Sequence, residues 1–140
     1  MAIQYHPEPG TILICDFRGH EAPEMLKRRP VVVISPRLRN RTGLCTVVPL
    51  STSAPTKIEP YHYRLHTDPP MHEPYSSPSH WVKADMVYTV AFSRLFLMTG
   101  GKDSSGKRIY DNRIIDKADL LKIQSAVLCG LGLTALTDYL

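Results

Sequence analysis

Apolar positions in the first third of the chain come in short, dense runs separated by polar punctuation. Residues 11–17 read TILICDF, 31–34 VVVI and 44–50 LCTVVPL; each is rich in β-branched residues and too short for a stable helix. The pattern predicts strands, the second buried on both faces. Pro36 ends that strand, RLRNRTG (37–43) supplies a turn around Asn40 and Gly43, and the next run returns as its antiparallel partner. In such a hairpin the start of one strand and the end of the other share an edge, so Arg29 and Ser51 are expected as neighbours.

Farther along, residues 54–80 hold six of the twelve prolines (55, 60, 69, 70, 74 and 78), which excludes helix and central strand; only YHYRL (61–65) alternates enough for an edge strand. WVKADMVYTV (81–90) and RLFLMT (94–99) restore β character, and KDSSGK turns toward a further strand at 108–110. From Asp116 the period changes. Leu120, Ile123, Val127 and Leu131 recur at helical spacing, Asp116 is placed to cap the first turn, Asp119 suits its positive end, and Gly130 and Gly132 mark its finish. The expected architecture is mainly β with a C-terminal helix. Five or more short strands should form a small, strongly bent barrel with the helix over one opening, all in a single domain spanning 1–140.

Charge sharpens this picture. No Asp or Glu occurs between positions 25 and 58, yet Lys27, Arg28, Arg29, Arg37, Arg39, Arg41 and Lys57 all fall there, out of 17 cationic residues in a chain of net charge +4. One region should therefore carry a positive field suited to a polyanion. Cys15, Cys45 and Cys129 sit in apolar surroundings and suit buried thiols rather than disulfides. His62, His66, His72 and His80 are spaced unlike metal ligands, and no metal or cofactor is expected. The opening MAIQYHPEPG is no signal peptide and no apolar run reaches membrane-spanning length, so a cytoplasmic location is expected.

Several segments in order, GTILICDF, EMLKRRP, VVVISP, NRTG, VVPLSTS and KADMVYTV, resemble the MazF/PemK family of toxin ribonucleases from bacterial toxin-antitoxin systems. The resemblance is closest over residues 9–53 and weaker over 81–98. It implies an SH3-like barrel that dimerises, cuts single-stranded RNA (mRNA) sequence-selectively and without a metal, arrests translation and growth, and is neutralised by a small cognate antitoxin with an acidic tail. The family's active-site arginine falls on Arg29, its hydroxyl residue, usually Thr, on Ser51 with Thr52 beside it, and its loop glutamate on Glu24.

Such chemistry asks the protein to assist attack by the RNA's own 2′-hydroxyl. An arginine fork suits the charged phosphoryl oxygens and a serine hydroxyl can donate to one of them. Glu24 and His20 both stand as proton acceptors. Lys27, Arg28, Arg37, Arg39, Arg41 and Lys57 are expected to contact the RNA backbone, and Tyr61, Tyr63, Tyr75 and Trp81 are candidates to stack bases. Two other readings share the fold class: a non-enzymatic toxin that poisons DNA gyrase, and a nucleic-acid-binding module with a decayed active site.

Overall fold

The computed structural model describes residues 1–140. Nine strands form: β1 (Ile12–Asp16), β2 (Arg28–Val33), β3 (Leu44–Ser51), β4 (His62–His66), β5 (Ser79–Lys83), β6 (Tyr88–Ala91), β7 (Leu95–Leu97), β8 (Thr99–Lys102) and β9 (Arg108–Tyr110). They precede one helix, α1 (Lys117–Gly130), and a final 3-10 turn, Thr134–Tyr139.

The sheet runs β4-β5-β3-β2-β1-β7, with β6 also on β3; β8 and β9 make a separate two-stranded ribbon. The sheet stays open, in contrast to the expected closed barrel. The reason lies in β3. Its first half pairs with β6 through Leu44↔Ala91 to Val47↔Tyr88, while its last two residues pair with β5 through Leu50↔Val82 and Ser51↔Trp81. One edge of β3 thus divides between two partners, and β4 and β7 remain as outer strands.

Alternation along β1, β2 and β3 sends successive side chains to opposite faces, and both faces are buried. Ile12, Ile14, Val32, Val48 and Leu50 enter one core with Leu65, Val82, Met98 and Ile123. Leu13, Cys15, Val31, Val33, Cys45 and Val47 enter a second with Phe17, Met25, Val90 and Leu95. Burial pushes the Cys15 thiol up to about 12 and the Cys45 thiol up to about 11, as inert core sulfurs require.

Helix α1 closes the first core beside β4. The Asp116 side chain accepts from the Asp119 backbone N–H at 2.8 Å, the expected N-cap. Most of the expected apolar stripe faces the core: Ile123 belongs to it, Val127 packs against it and Leu120 is half-buried. Ile123 and Ala126 are the buried residues, whereas Leu131 is 61% exposed. At the helix end a Cβ on Gly130 would lie 3.0 Å from Asp85 Cα and 3.3 Å from Tyr61 Cβ, so the helix approaches closely only with glycine there. Asp85 itself occupies the turn between β5 and β6, closed by Met86 N–H donating to the Lys83 carbonyl at 3.0 Å.

Candidate functional site

The predicted hairpin forms, with Val31↔Pro49, Val32↔Val48 and Val33↔Val47 paired. Strand β2 begins three residues earlier than its apolar run suggested, because Arg28 and Arg29 pair with Asp16 and Cys15 of β1. Continuing the β2–β3 register by two residues brings Arg29 opposite Ser51. Both have the parity of Val31, Val33 and Val47, so both belong to the second core's face.

Arg29 is half-buried, and its Nε is fully buried without an internal hydrogen-bond partner. Ser51 is 6% exposed; its Oγ accepts from the Ser53 backbone N–H at 3.2 Å, which leaves the hydroxyl proton free to donate elsewhere. The site therefore holds, on one face, a cation without an internal partner and a hydroxyl with one of its two lone pairs already occupied. Thr52 lies just beyond the strand and is exposed.

The loop between β1 and β2 covers the same face. Met25 is buried in the second core and its backbone N–H donates to the Tyr88 hydroxyl at 3.0 Å. His20 sits against Phe17 and Tyr88, each at a centroid distance of 5.7 Å. Its Nδ1 lies 3.4 Å from Glu24 Oε2. The two acid-base candidates are thus brought together, and Glu24 Oε1 also accepts from the Glu21 backbone N–H at 3.2 Å.

Other expected contacts scatter. Arg28 points to the opposite face, with its guanidinium carbon 4.7 Å from the Phe96 ring centroid, because neighbouring strand residues alternate. Lys27 is exposed at the loop's end, while Arg37 and Arg39 are exposed at the far end of the hairpin. Arg41 is half-buried there with an unpartnered Nε, and lines an open hollow of about 510 Å³ with Tyr5, His6 and Phe92. Lys57 lies 3.7 Å from Glu59.

The histidines also disperse. His62 Nδ1 accepts from the Glu59 backbone N–H at 3.0 Å, and His80 is 2% exposed opposite Leu65. Burial lowers the His80 pKa, keeping its imidazole neutral. Of the aromatic candidates, Tyr63 donates to Asp119 at 2.5 Å, Tyr75 reaches the Arg28 carbonyl at 3.5 Å, and Tyr61 packs on His62. Desolvation, reinforced by Asp119, pushes the Tyr63 phenol up to about 12.

Trp81 is different: it pairs with Ser51 on one side and with Arg64 on the other. Sequence reasoning passed over Arg64. The alternation of YHYRL does turn it outward, but its place in this row depends on two non-local pairings.

An open-ended hairpin carrying an arginine and a hydroxyl, set on a two-cored sheet with a terminal helix, defines the class. The family model for the PemK-like, MazF-like toxin of type II toxin-antitoxin systems matches residues 8–128. The chain belongs to that family.

An uncharacterised Haemophilus influenzae protein is 26% identical over 96% of both chains. The endoribonuclease toxin MazF of Escherichia coli is 36% identical over 55 residues, a match spanning 39% of this chain and 50% of that protein. Crystalline MazF from Deinococcus radiodurans superposes with a TM-score of 0.61 at 24% identity, covering 92% of this chain and 99% of its own. An endoribonuclease from a mycobacterial species, solved with its cognate antitoxin, gives 0.60 at 21% identity, covering 91% and 96%. These two likenesses establish the fold. No helix is long and apolar enough to cross a membrane.

Proposed function

We propose that this chain is an endoribonuclease toxin that cuts single-stranded mRNA by internal 2′-hydroxyl attack, without a metal, and so stops translation and growth. What supports the reading is that Arg29 and Ser51 share one sheet face two residues beyond the last β2–β3 pair, Val31↔Pro49, with the Arg29 Nε unpartnered inside the protein.

In this reading the RNA 2′-oxygen attacks the adjacent phosphorus, the P–O5′ bond breaks, the departing oxygen takes a proton from water to become a 5′-hydroxyl, and a 2′,3′-cyclic phosphate remains. Arg29 holds the non-bridging oxygens, whose negative charge grows as the pentacoordinate state forms, and Ser51 donates its free hydroxyl proton to one of them. A guanidinium stays charged throughout, so its contribution is electrostatic rather than proton transfer. The 2′-proton goes to the His20–Glu24 pair, whose Nδ1 and Oε2 stand 3.4 Å apart with Nδ1 making no internal hydrogen bond.

Lys27, Arg37, Arg39, Arg41 and Lys57 add a general attraction for the phosphate backbone. Control comes from a small antitoxin with an acidic tail that competes for this positive surface. A second copy of the chain pairs with the first; the exposed Leu131, Leu133 and Leu136 offer it an apolar face.

Incubating the purified protein with single-stranded RNA in excess chelator should yield fragments ending in 2′,3′-cyclic phosphate. RNA left intact across many sequences would overturn the reading.

A further inference from the structure

On the site's face the ladders set Leu95, Cys15 and Arg29 in one row across β7, β1 and β2, and Ser51, Trp81 and Arg64 in another across β3, β5 and β4. Continuing the β2–β3 register beyond Val31↔Pro49 joins them end to end. Leu95 and Cys15 lie in the second core. Beyond Ser51 the core ends, and the row emerges as the half-buried Trp81 and the exposed Arg64. Directly opposed residues of an antiparallel ladder stand about 5 Å apart on one face. Trp81 is therefore the immediate neighbour of the hydroxyl at the proposed scissile phosphate.

The surroundings specify what it would meet. The outward residues of β4 are His62, Arg64 and His66, and those of β5 are Ser79, Trp81 and Lys83. None is acidic. The Arg64 guanidinium carbon lies 5.7 Å from the Trp81 ring centroid, and its Nε and Nη2 both donate to Ser79 Oγ, at 3.3 and 3.2 Å. Held that way, Arg64 backs the indole and leaves Nη1 for a phosphate. An indole with a cation beside it, among outward β4 and β5 residues that carry no carboxylate, matches the demands of an unpaired base and its phosphate.

We propose that Trp81 and Arg64 form a stacking shelf that holds the base flanking the cleaved phosphodiester and thereby sets where the enzyme cuts. This rests on the ribonuclease reading of Arg29 and Ser51, but it makes separate demands. A shelf binds through a ring face that every base has, so it fixes register along the strand while tolerating sequence.

Trp81 is the only tryptophan of the chain, so its fluorescence reports the shelf directly. Titration with single-stranded 2′-O-methyl oligonucleotides, which lack the attacking hydroxyl, should quench it; binding seen by anisotropy without quenching, or no binding, overturns the shelf. On cleavable RNA, Trp81→Ala should raise KM about tenfold with kcat largely kept, whereas Trp81→Phe retains most of the affinity. An abasic nucleotide at the flanking position should cost the unaltered protein the same factor and cost Trp81→Ala nothing more. An undiminished abasic penalty in Trp81→Ala would also sink the proposal. The two readings fail separately: quenching without any cleavage defeats the ribonuclease and keeps the shelf, while cleavage without quenching does the reverse. Should Trp81→Ala fail to fold, the Phe variant and the fluorescence of the unaltered protein still decide.

Discussion

The two ends of the β2–β3 hairpin carry the same kind of side chain on different supports. At the open end Arg29 sits within a strand, paired to Cys15 and flanked by Ser51, over a packed core. At the turn end Arg37 and Arg39 ride an exposed loop that bends through Asn40 at φ 63°, and Arg41 edges an open hollow. A charge fixed on a ladder can meet developing charge without reorganising, which is what transition-state stabilisation requires. Charges on a turn lack that fixity and act through their summed field, drawing a polyanion in from solution.

The strongest test of that contrast is Arg29→Ala, which should lower kcat by about 10²–10³-fold, the usual loss when one charge-stabilising donor is removed. Circular dichroism and gel filtration should remain those of the parent. Arg29→Lys should recover only part of the activity, because an ammonium lacks the planar fork. Retained cleavage by Arg29→Ala would erase the distinction between the two ends.

Next in size, Ser51→Ala removes one hydrogen bond to a charged group and should slow cleavage about tenfold to a hundredfold. Single-turnover kinetics would isolate this effect, and an unchanged rate would mean that the hydroxyl serves only Ser53.

Replacing Arg37, Arg39 and Arg41 together by Ala should instead raise KM, leave kcat near its parent value, and reduce the salt slope of RNA binding by about 2 for three lost phosphate contacts. A fall in kcat to match Arg29→Ala would place the turn end in the chemistry.

The smallest effect concerns the strand that supports the open end. His80 lies buried on β5 next to Trp81, and burial lowers its pKa from the usual 6.5. Below 6.5 the unfolded chain binds a proton that the folded imidazole resists. Stability should therefore fall as pH drops through 6.5 toward the lowered folded value, and be full above it. Urea midpoints between pH 5 and 7.5 should show this slope in the parent and a flatter one in His80→Gln. Equal slopes would assign the dependence to another group.

Much of the open end was legible from local pattern. Strands of period two joined by a short polar turn fix both partners and their register, so the pairing from Val31↔Pro49 to Val33↔Val47 follows from VVVI and LCTVVPL almost by counting, and it sets Arg29 and Ser51 two residues beyond its end. The Asp116 cap was equally local, since it needs only the next three residues. Closure into a barrel was not legible, because it depends on whether the outermost strands β4 and β7 meet. The helix stripe was legible in the main: of the positions that helical spacing selects, Ile123 is buried and Val127 packs on the first core, and Leu131, past the last helical residue, lies outside.

The sequence by itself determined the hairpin, its carboxylate-free basic stretch and the apposition of an arginine with a serine, because each arises from residues that are adjacent or joined by one turn. The tertiary structure decided that β2 reaches back to Arg28, that His20 and Glu24 meet, and that Trp81 and Arg64 extend the face beyond Ser51. Alternation within a strand is set by backbone geometry and travels with the sequence. The pairing of β3 with β5 and of β5 with β4 depends on which apolar faces bury one another, and no short stretch of chain encodes that choice.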